Sequence, residues 1–235
     1  SLNDGDDTAS IERLCAKAQT PFGNVAAVCV WPRFVAQARA LLPDAIRVAA
    51  VADFPDGELN AARALADVQA IAQAGGQEVD VVLPYRALMA GQVQEVAEFL
   101  AEVRHASRPL TLKVIIESGV LMDPALIRRA SQLSLSAGAD FIKTSTGKTP
   151  VSATPEAAAA MLDEIRRSGL THAGFKASGG IRSVAQAAGY IEQARAALGE
   201  GALNGQRLRF GASGLLDDIL AVLGGGASTA RGTGY

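Results

Sequence analysis

Short runs rich in Val, Ile, Phe and Ala recur along the chain, each closing in a polar or glycine-bearing turn and each followed by a stretch of helical periodicity. The runs predict seven strands: Val25 to Trp31, Arg47 to Ala52, Glu78 to Pro84, Thr111 to Glu117, Phe141 to Thr144, Gly174 to Ala177 and Leu208 to Gly211. Between them, Val93, Val96, Ala97, Leu100 and Val103 fall on one helical stripe, as do Leu126, Ile127, Ala130 and Leu133. Asp123-Pro124 and Thr154-Pro155-Glu156 set a capping side chain before a proline at the first helical position, and Gly138 and Gly169 stand where those helices should stop. Strand alternating with helix predicts a parallel sheet.

Two architectures suit such a chain, an open doubly wound sheet and a closed eight-stranded barrel. In an open parallel sheet both strand faces meet helices and read as continuously apolar. Here Glu78, Asp80 and Val82 alternate with Val79, Val81 and Leu83, and Lys113 and Glu117 alternate with apolar residues, so one face carries ionisable groups that a barrel lumen could hold. The expected fold is therefore a (β/α)8 TIM barrel in the α/β class. Seven strands are one short of it, and the sequence opens at Ser1 on the polar run Asn3 to Asp7, so a first strand is expected to be missing from this sequence. Residues 1–223 are expected to form one barrel domain and 224–235 a flexible tail.

Composition narrows the function. The 235 residues are 49% hydrophobic and 20% charged, enough apolar material for a packed interior. A formal net charge of -2 offers no surplus of positive charge to hold a nucleic-acid backbone, so none is expected as a partner. The longest apolar run, Val25 to Trp31, is seven residues, far below the roughly 20 that cross a bilayer, so no membrane association is expected. Two cysteines, Cys15 and Cys29, suggest free thiols and a cytoplasmic setting.

Of 22 basic residues only Lys17, Lys113, Lys143, Lys148 and Lys176 are lysine. Lys17 falls on a surface helix, whereas Lys113, Lys143 and Lys176 fall in or at the ends of apolar strands, where a bare ammonium is costly to desolvate. A primary amine can lose its proton when desolvated or crowded by a cation, and then attack a carbonyl. Lys143 and Lys176 occupy equivalent places near the carboxyl ends of consecutive strands, where barrel active sites gather. The plain alternative is a lysine ion-paired with Asp80 or Glu117 and without chemical work. Three successive strand ends carry small residues: Thr144-Ser-Thr-Gly-Lys148, Ala177-Ser-Gly-Gly-Ile-Arg182 and Gly211-Ala-Ser-Gly214. Glycines there could simply permit tight turns, but with Lys148 and Arg182 in the same loops they point to a phosphate cradle. The expected ligand is a small phosphorylated aldehyde.

The motifs Asp80-Val-Val-Leu-Pro-Tyr-Arg-Ala-Leu-Met-Ala-Gly91, Lys113-Val-Ile-Ile-Glu117, Gly138-Ala-Asp-Phe-Ile-Lys-Thr-Ser-Thr-Gly-Lys148, Phe175-Lys-Ala-Ser-Gly-Gly-Ile-Arg182 and Arg209-Phe-Gly-Ala-Ser213 follow one another along the whole chain. In them the sequence resembles the deoxyribose-phosphate aldolases, class I aldolases that reversibly cleave 2-deoxy-D-ribose 5-phosphate to D-glyceraldehyde 3-phosphate and acetaldehyde in deoxyribonucleoside breakdown. The resemblance implies that Lys143 is the Schiff-base lysine, that Lys176 lies close enough to ease its deprotonation, and that Asp80 joins Lys176 in proton transfer through water. It also implies phosphate contacts from Gly147 and Lys148, from Gly179, Gly180, Ile181 and Arg182, and from Gly211 to Ser213. No cofactor or metal is implied, and His105 and His172 lack metal-ligand spacing and read as surface residues.

The sequence departs from that family in two places. The sequence is expected to begin after the amino-terminal helix and the aspartate-bearing first strand usual there, and Gly214 stands where a second serine is frequent, which predicts weaker phosphate anchoring. Cys29 is expected to be a core thiol, with substrate contact as the second reading. Tyr235 ends a tail of flexible composition and is assigned a proton-transfer role at the site, against disorder as the ordinary state of such a terminus. A homodimer is left open. Two other functions fit the same features, another Schiff-base lyase such as a transaldolase, and a non-catalytic sugar-phosphate sensor that has no need of a second lysine.

Overall fold

The computed structural model describes residues 1–228. Helix α1 (Thr8–Lys17) starts at Asp7, whose side chain accepts from the Ser10 amide and so satisfies a donor the first helical turn leaves open. A hairpin of two-residue strands follows, β1 (Gln19–Thr20) and β2 (Gly23–Asn24). It was invisible in the hydrophobic pattern because two residues cannot display a period. The seven predicted strands are all present: β3 (Ala27–Val30), β4 (Arg47–Ala52), β5 (Glu78–Val82), β6 (Thr111–Ile115), β7 (Phe141–Lys143), β8 (Gly174–Ser178) and β9 (Leu208–Gly211). They pair in parallel and in sequence order as one curled sheet.

Several strands are shorter than their apolar runs, for local reasons. Pro84 has no amide to give the ladder, Trp31 already opens a 3-10 turn at Pro32, and Glu117 leaves the extended region at φ 52°. Helices α2 (Val35–Leu41), α3 (Ala61–Gln73), α4 (Tyr85–Met89), α5 (Val93–Ala106), α6 (Ser118–Leu121), α7 (Pro124–Ser136), α8 (Pro155–Ser168) and α9 (Val184–Leu198) fill the crossovers, and α10 (Gly214–Leu223) follows β9. The expected caps are in place: Asp123 accepts from Ala125, Thr154 accepts from Ala157, and Gly169 ends α8 in the left-handed region at φ 69°. At α9, Ser183 and Gln186 form a reciprocal capping box. No helix among the described residues is long and apolar enough to cross a membrane.

The alternation read from the sequence separates two interiors. Val79, Val81, Leu112, Val114, Ile142 and Phe175 are fully buried, as are Val96, Leu100 and Val103 of α5, and belong to one apolar core. Each such side chain contributes about 1.5–3 kcal/mol on leaving water. The other face of the sheet holds Glu78, Asp80, Lys113, Lys143 and Lys176, all buried. Gly174 is required at the bottom of that lumen, since a Cβ there would stand 2.4 Å from Cε1 of Phe141. At the amino end of the chain, the Ser1 amino group donates to the Cys29 carbonyl at 2.9 Å, laying the first residues along the β3 edge of the seven-stranded sheet.

The loop after β4 is tightly fixed. Asp53 adopts φ 49° and its amide donates to Asp67 Oδ2, the Phe54 ring meets Trp31 edge-on at 5.4 Å, and Arg63 Nη2 donates to the Phe54 carbonyl. Asp53 itself is fully buried, neither of its carboxylate oxygens accepts a hydrogen bond among the described residues, and Arg63 Nε lies 3.7 Å from Oδ1. Burial pushes its carboxyl up to about 7, opposed by Arg63 and reinforced by Glu58, Asp67 and Asp56. A raised carboxyl means the folded state holds a proton that the unfolded state releases near 4, so stability falls as pH climbs from about 4 to about 7 and the penalty is complete above that. Asp53→Asn is expected to raise the thermal midpoint by several degrees at pH 8 and to leave it unchanged at pH 4, as read by calorimetry at the two pH values.

Candidate active site

Asp80 lies at the middle of β5, with its side chain in the lumen and fully buried. The strand register places Lys113 directly beside it on β6, and places Lys143 on β7 beside Lys176 on β8. Three ammonium groups therefore converge on one carboxylate: Lys113 Nζ donates to Oδ1 at 2.7 Å, and Lys143 Nζ and Lys176 Nζ each donate to Oδ2 at 2.8 Å. Sharing one oxygen, the nitrogens of Lys143 and Lys176 are no farther apart than twice 2.8 Å. Burial alone would push the Asp80 carboxyl up, but Lys113, Lys143 and Lys176 outweigh it and hold the group well below the usual carboxylate range.

A second carboxylate completes the cluster from below. Glu78 accepts from Lys113 at 2.5 Å and from Arg209 Nη1 through both oxygens, at 2.9 and 2.8 Å. Burial opposes its ionisation, and Lys113 and Arg209 together hold it low. Arg209 also stacks over Phe141 at 5.0 Å. Lys113 is thus the bridge between the two acids. Arg209 was read only as part of a motif, because its partner is 131 residues away in sequence and no local pattern announces the pair.

The three glycine-bearing turns lie together above the lysines. Gly179 donates its amide to the Gly211 carbonyl, Ser178 Oγ donates to the same carbonyl, and a Cβ on Gly179 would stand 3.5 Å from the Gly147 Cα. Gly147, Gly179 and Gly180 have φ of 79°, 84° and 79°, conformations that L side chains rarely adopt. A Cβ on Gly211 would come within 3.2 Å of Lys176 Cε, so the β9 turn closes directly over that lysine. Lys148, Arg182 and Ser213 are exposed around these turns. The Arg182 amide donates to Gln186 Oε1, which leaves its guanidinium as the group free to meet a ligand. Ile181 is buried in the apolar core, so only its backbone can serve the cradle.

Cys29 is half-buried on the lumen face, with Sγ 3.9 Å from Asp80 Oδ2. Tyr235 and the tail beyond residue 228 lie outside the described residues. His105 and His172 are exposed, and no cluster of His, Cys, Asp and Glu among the described residues could hold a metal ion. Glu117, read as a lumen residue, turns instead toward the β7 loop, where it accepts from Thr146 and Thr149. Its left-handed backbone breaks the two-residue alternation, a change no hydrophobic pattern could announce.

Comparison with known proteins agrees with this geometry. A family profile described as DeoC/LacD family aldolase matches residues 1–218. A curated protein of Agrobacterium fabrum (strain C58 / ATCC 33970), named deoxyribose-phosphate aldolase, is 50% identical over 228 residues, which cover 96% of this chain and 88% of the relative. A crystal structure assigned as a deoxyribose-phosphate aldolase from Coccidioides immitis superposes with a TM-score of 0.81 at 28% identity, covering 94% of this chain and 82% of the other. The fold is shared again by an apo structure from Toxoplasma gondii ME49, at a TM-score of 0.87 and 24% identity, covering 97% of this chain and 93% of that one. With the match running through every strand that carries a lumen charge, the chain belongs to the DeoC/LacD family of aldolases.

Proposed function

We propose that this chain is a class I aldolase that reversibly cleaves 2-deoxyribose 5-phosphate to glyceraldehyde 3-phosphate and acetaldehyde, with Lys143 as the Schiff-base lysine. The observation that carries the reading is the sharing of Asp80 Oδ2 by Lys143 and Lys176 beneath three loops with backbone suited to a phosphate. Support for the substrate comes from the name of the Agrobacterium relative.

The lumen holds four cations, Lys113, Lys143, Lys176 and Arg209, against two carboxylates, Glu78 and Asp80. The nucleophile in such a set is the neutral amine. A neutral Lys143 can keep one N–H on Asp80 and direct its lone pair at the aldehyde carbon. Addition followed by loss of water gives an iminium. A base then takes the proton of the C3 hydroxyl, the C2–C3 bond breaks, and its electron pair moves into the iminium to leave an enamine while glyceraldehyde 3-phosphate departs. Protonation of the enamine at C2 and hydrolysis release acetaldehyde and restore Lys143. Lys176 and Asp80, already hydrogen-bonded, form the proton-transfer pair.

The anionic end of the substrate is received by Gly147, Lys148, Gly179, Gly180, the Arg182 guanidinium and Gly211 to Ser213, where backbone amides and cations complement a phosphate. Cys29 borders the two-carbon end beside Asp80. The cytoplasm is the proposed setting, which the two free thiols support.

Borohydride added with acetaldehyde is expected to fix a two-carbon ethyl adduct on Lys143, read by peptide mass mapping. A sugar-phosphate sensor would gain no mass, and a lyase of the transaldolase type would accept dihydroxyacetone in place of acetaldehyde. Lys176→Arg keeps the charge but cannot give up a proton readily, and is expected to lower kcat at least ~100-fold with phosphate affinity retained. Near-normal turnover in that variant would contradict the proton-transfer role.

A further inference from the structure

Glu117 is a fully buried carboxylate that plays no part in the lumen cluster. It follows β6 in a left-handed conformation, φ 52° and ψ 56°, which a residue other than glycine adopts only when its surroundings hold it there. What holds it is the loop after β7. Thr146 Oγ1 donates to Glu117 Oε2 at 2.5 Å, the Thr146 amide lies 3.3 and 3.4 Å from the two oxygens, and Thr149 Oγ1, which lies 2.9 Å from the Val151 carbonyl, shares its one proton with Oε1 at 3.2 Å. The Thr146 hydroxyl in turn accepts from the Lys148 amide at 3.0 Å. One carboxylate therefore fixes residues 146, 148 and 149 together, on either side of Gly147.

The rest of the loop is held as firmly. The Ser118 amide donates to the Thr144 carbonyl at 2.8 Å, and a Cβ on Gly119 would meet the Val151 carbonyl oxygen at 1.9 Å, so α6 rests directly on the far end of the loop. On the opposite flank Gly179 lies against Ser152 and Gly147. The chemistry at the centre of this sandwich is specific. A carboxylate beneath an anion site is unfavourable by charge, yet it offers two acceptor oxygens and no donor, and the Thr146 hydroxyl and amide both face it as donors. Glutamine would have the same shape but would turn an NH2 group toward an N–H or hydroxyl donor. The geometry is that of a group kept for where it places the loop.

We infer that Glu117 is a positioning residue that sets the β7 loop for the phosphate end of the substrate, and so fixes the preference for a phosphorylated over an unphosphorylated 2-deoxy sugar. The inference rests on the proposed phosphate site and deepens it. Among the described residues the Glu117 side chain bonds to Thr146 and Thr149 and to none of the lumen charges, so its loss is expected to reach the reaction through binding of the remote end.

The test compares kcat/KM for 2-deoxyribose 5-phosphate and for 2-deoxyribose in Glu117→Gln, Glu117→Asp and Lys148→Ala. Glu117→Gln is expected to raise KM for the phosphorylated sugar about tenfold or more while kcat/KM for 2-deoxyribose stays within about twofold. Borohydride trapping with acetaldehyde should proceed at the wild-type rate. Glu117→Asp, which keeps two acceptor oxygens, should recover part of the preference. If Lys148→Ala lowers the preference and Glu117→Gln does not, the role of Glu117 is overturned and the phosphate site stands. If Lys148→Ala leaves the preference intact, the phosphate site itself fails. An equal loss on both sugars in Glu117→Gln would mark a merely structural residue and also overturn the inference. Should Glu117→Gln not fold, Thr149→Val removes the hydroxyl shared between Glu117 and the Val151 carbonyl and is expected to shift the ratio of the two kcat/KM values about threefold in the same direction, with no shift counting against the inference.

Discussion

The lumen of this protein is organised around one carboxylate that takes hydrogen bonds from three ammonium groups. Asp80 binds Lys113, Lys143 and Lys176 at 2.7 to 2.8 Å, and all four side chains are buried. Removing Asp80 would leave three ammonium groups without their shared counter-charge, and breaking a buried pair from one side typically costs about 3–5 kcal/mol, a large part of a domain's stability margin. Hydrophobic residues of similar volume would stabilise such an interior as well or better. The charges therefore make sense through their chemistry. Amines and a carboxylate held at hydrogen-bond distance form a place where an amine can act as a nucleophile and where a proton can move a short distance between fixed groups.

That arrangement is tolerable because the other face of the same strands pays no electrostatic penalty. Val79, Val81, Leu112, Val114 and Ile142 fill the layer between sheet and helices, so the fold is secured independently of the cluster it encloses. The strand ends are secured in a different way. Gly174 makes room for the Phe141 ring at the bottom, and Gly179 and Gly211 allow the turns at the top to close on Gly147 and Lys176. Glu117 and Asp53, two residues with positive φ just beyond strand ends, are both buried acids, but they behave differently. Glu117 is surrounded by donors from the β7 loop, whereas Asp53 has Arg63 at 3.7 Å and no hydrogen bond to its carboxylate among the described residues.

The architecture was largely legible because it is periodic. Alternation of two along β5 and β6 showed that one face of the sheet was ionisable, and three- and four-residue spacing along α5 and α7 showed which stripe met the opposite, apolar face. Capping pairs and glycines marked helix ends correctly. Strand ends were read too long at Pro84, Glu117 and Trp31, since apolar character continues past the point where backbone conformation changes. The β1–β2 hairpin escaped notice for want of length.

The sequence by itself determined that strands alternate with helices, that lysines stand where a buried ammonium needs a reason, and that the motifs are those of an aldolase family, because propensity, periodicity and motif are written within a few residues of one another. Only the tertiary structure decided which charges meet. Lys113, Lys143 and Lys176 lie 33, 63 and 96 residues from Asp80, and Glu78 finds Arg209 across 131. These encounters depend on the register of parallel strands and on the curl of the sheet, which are settled by the packing of the whole chain.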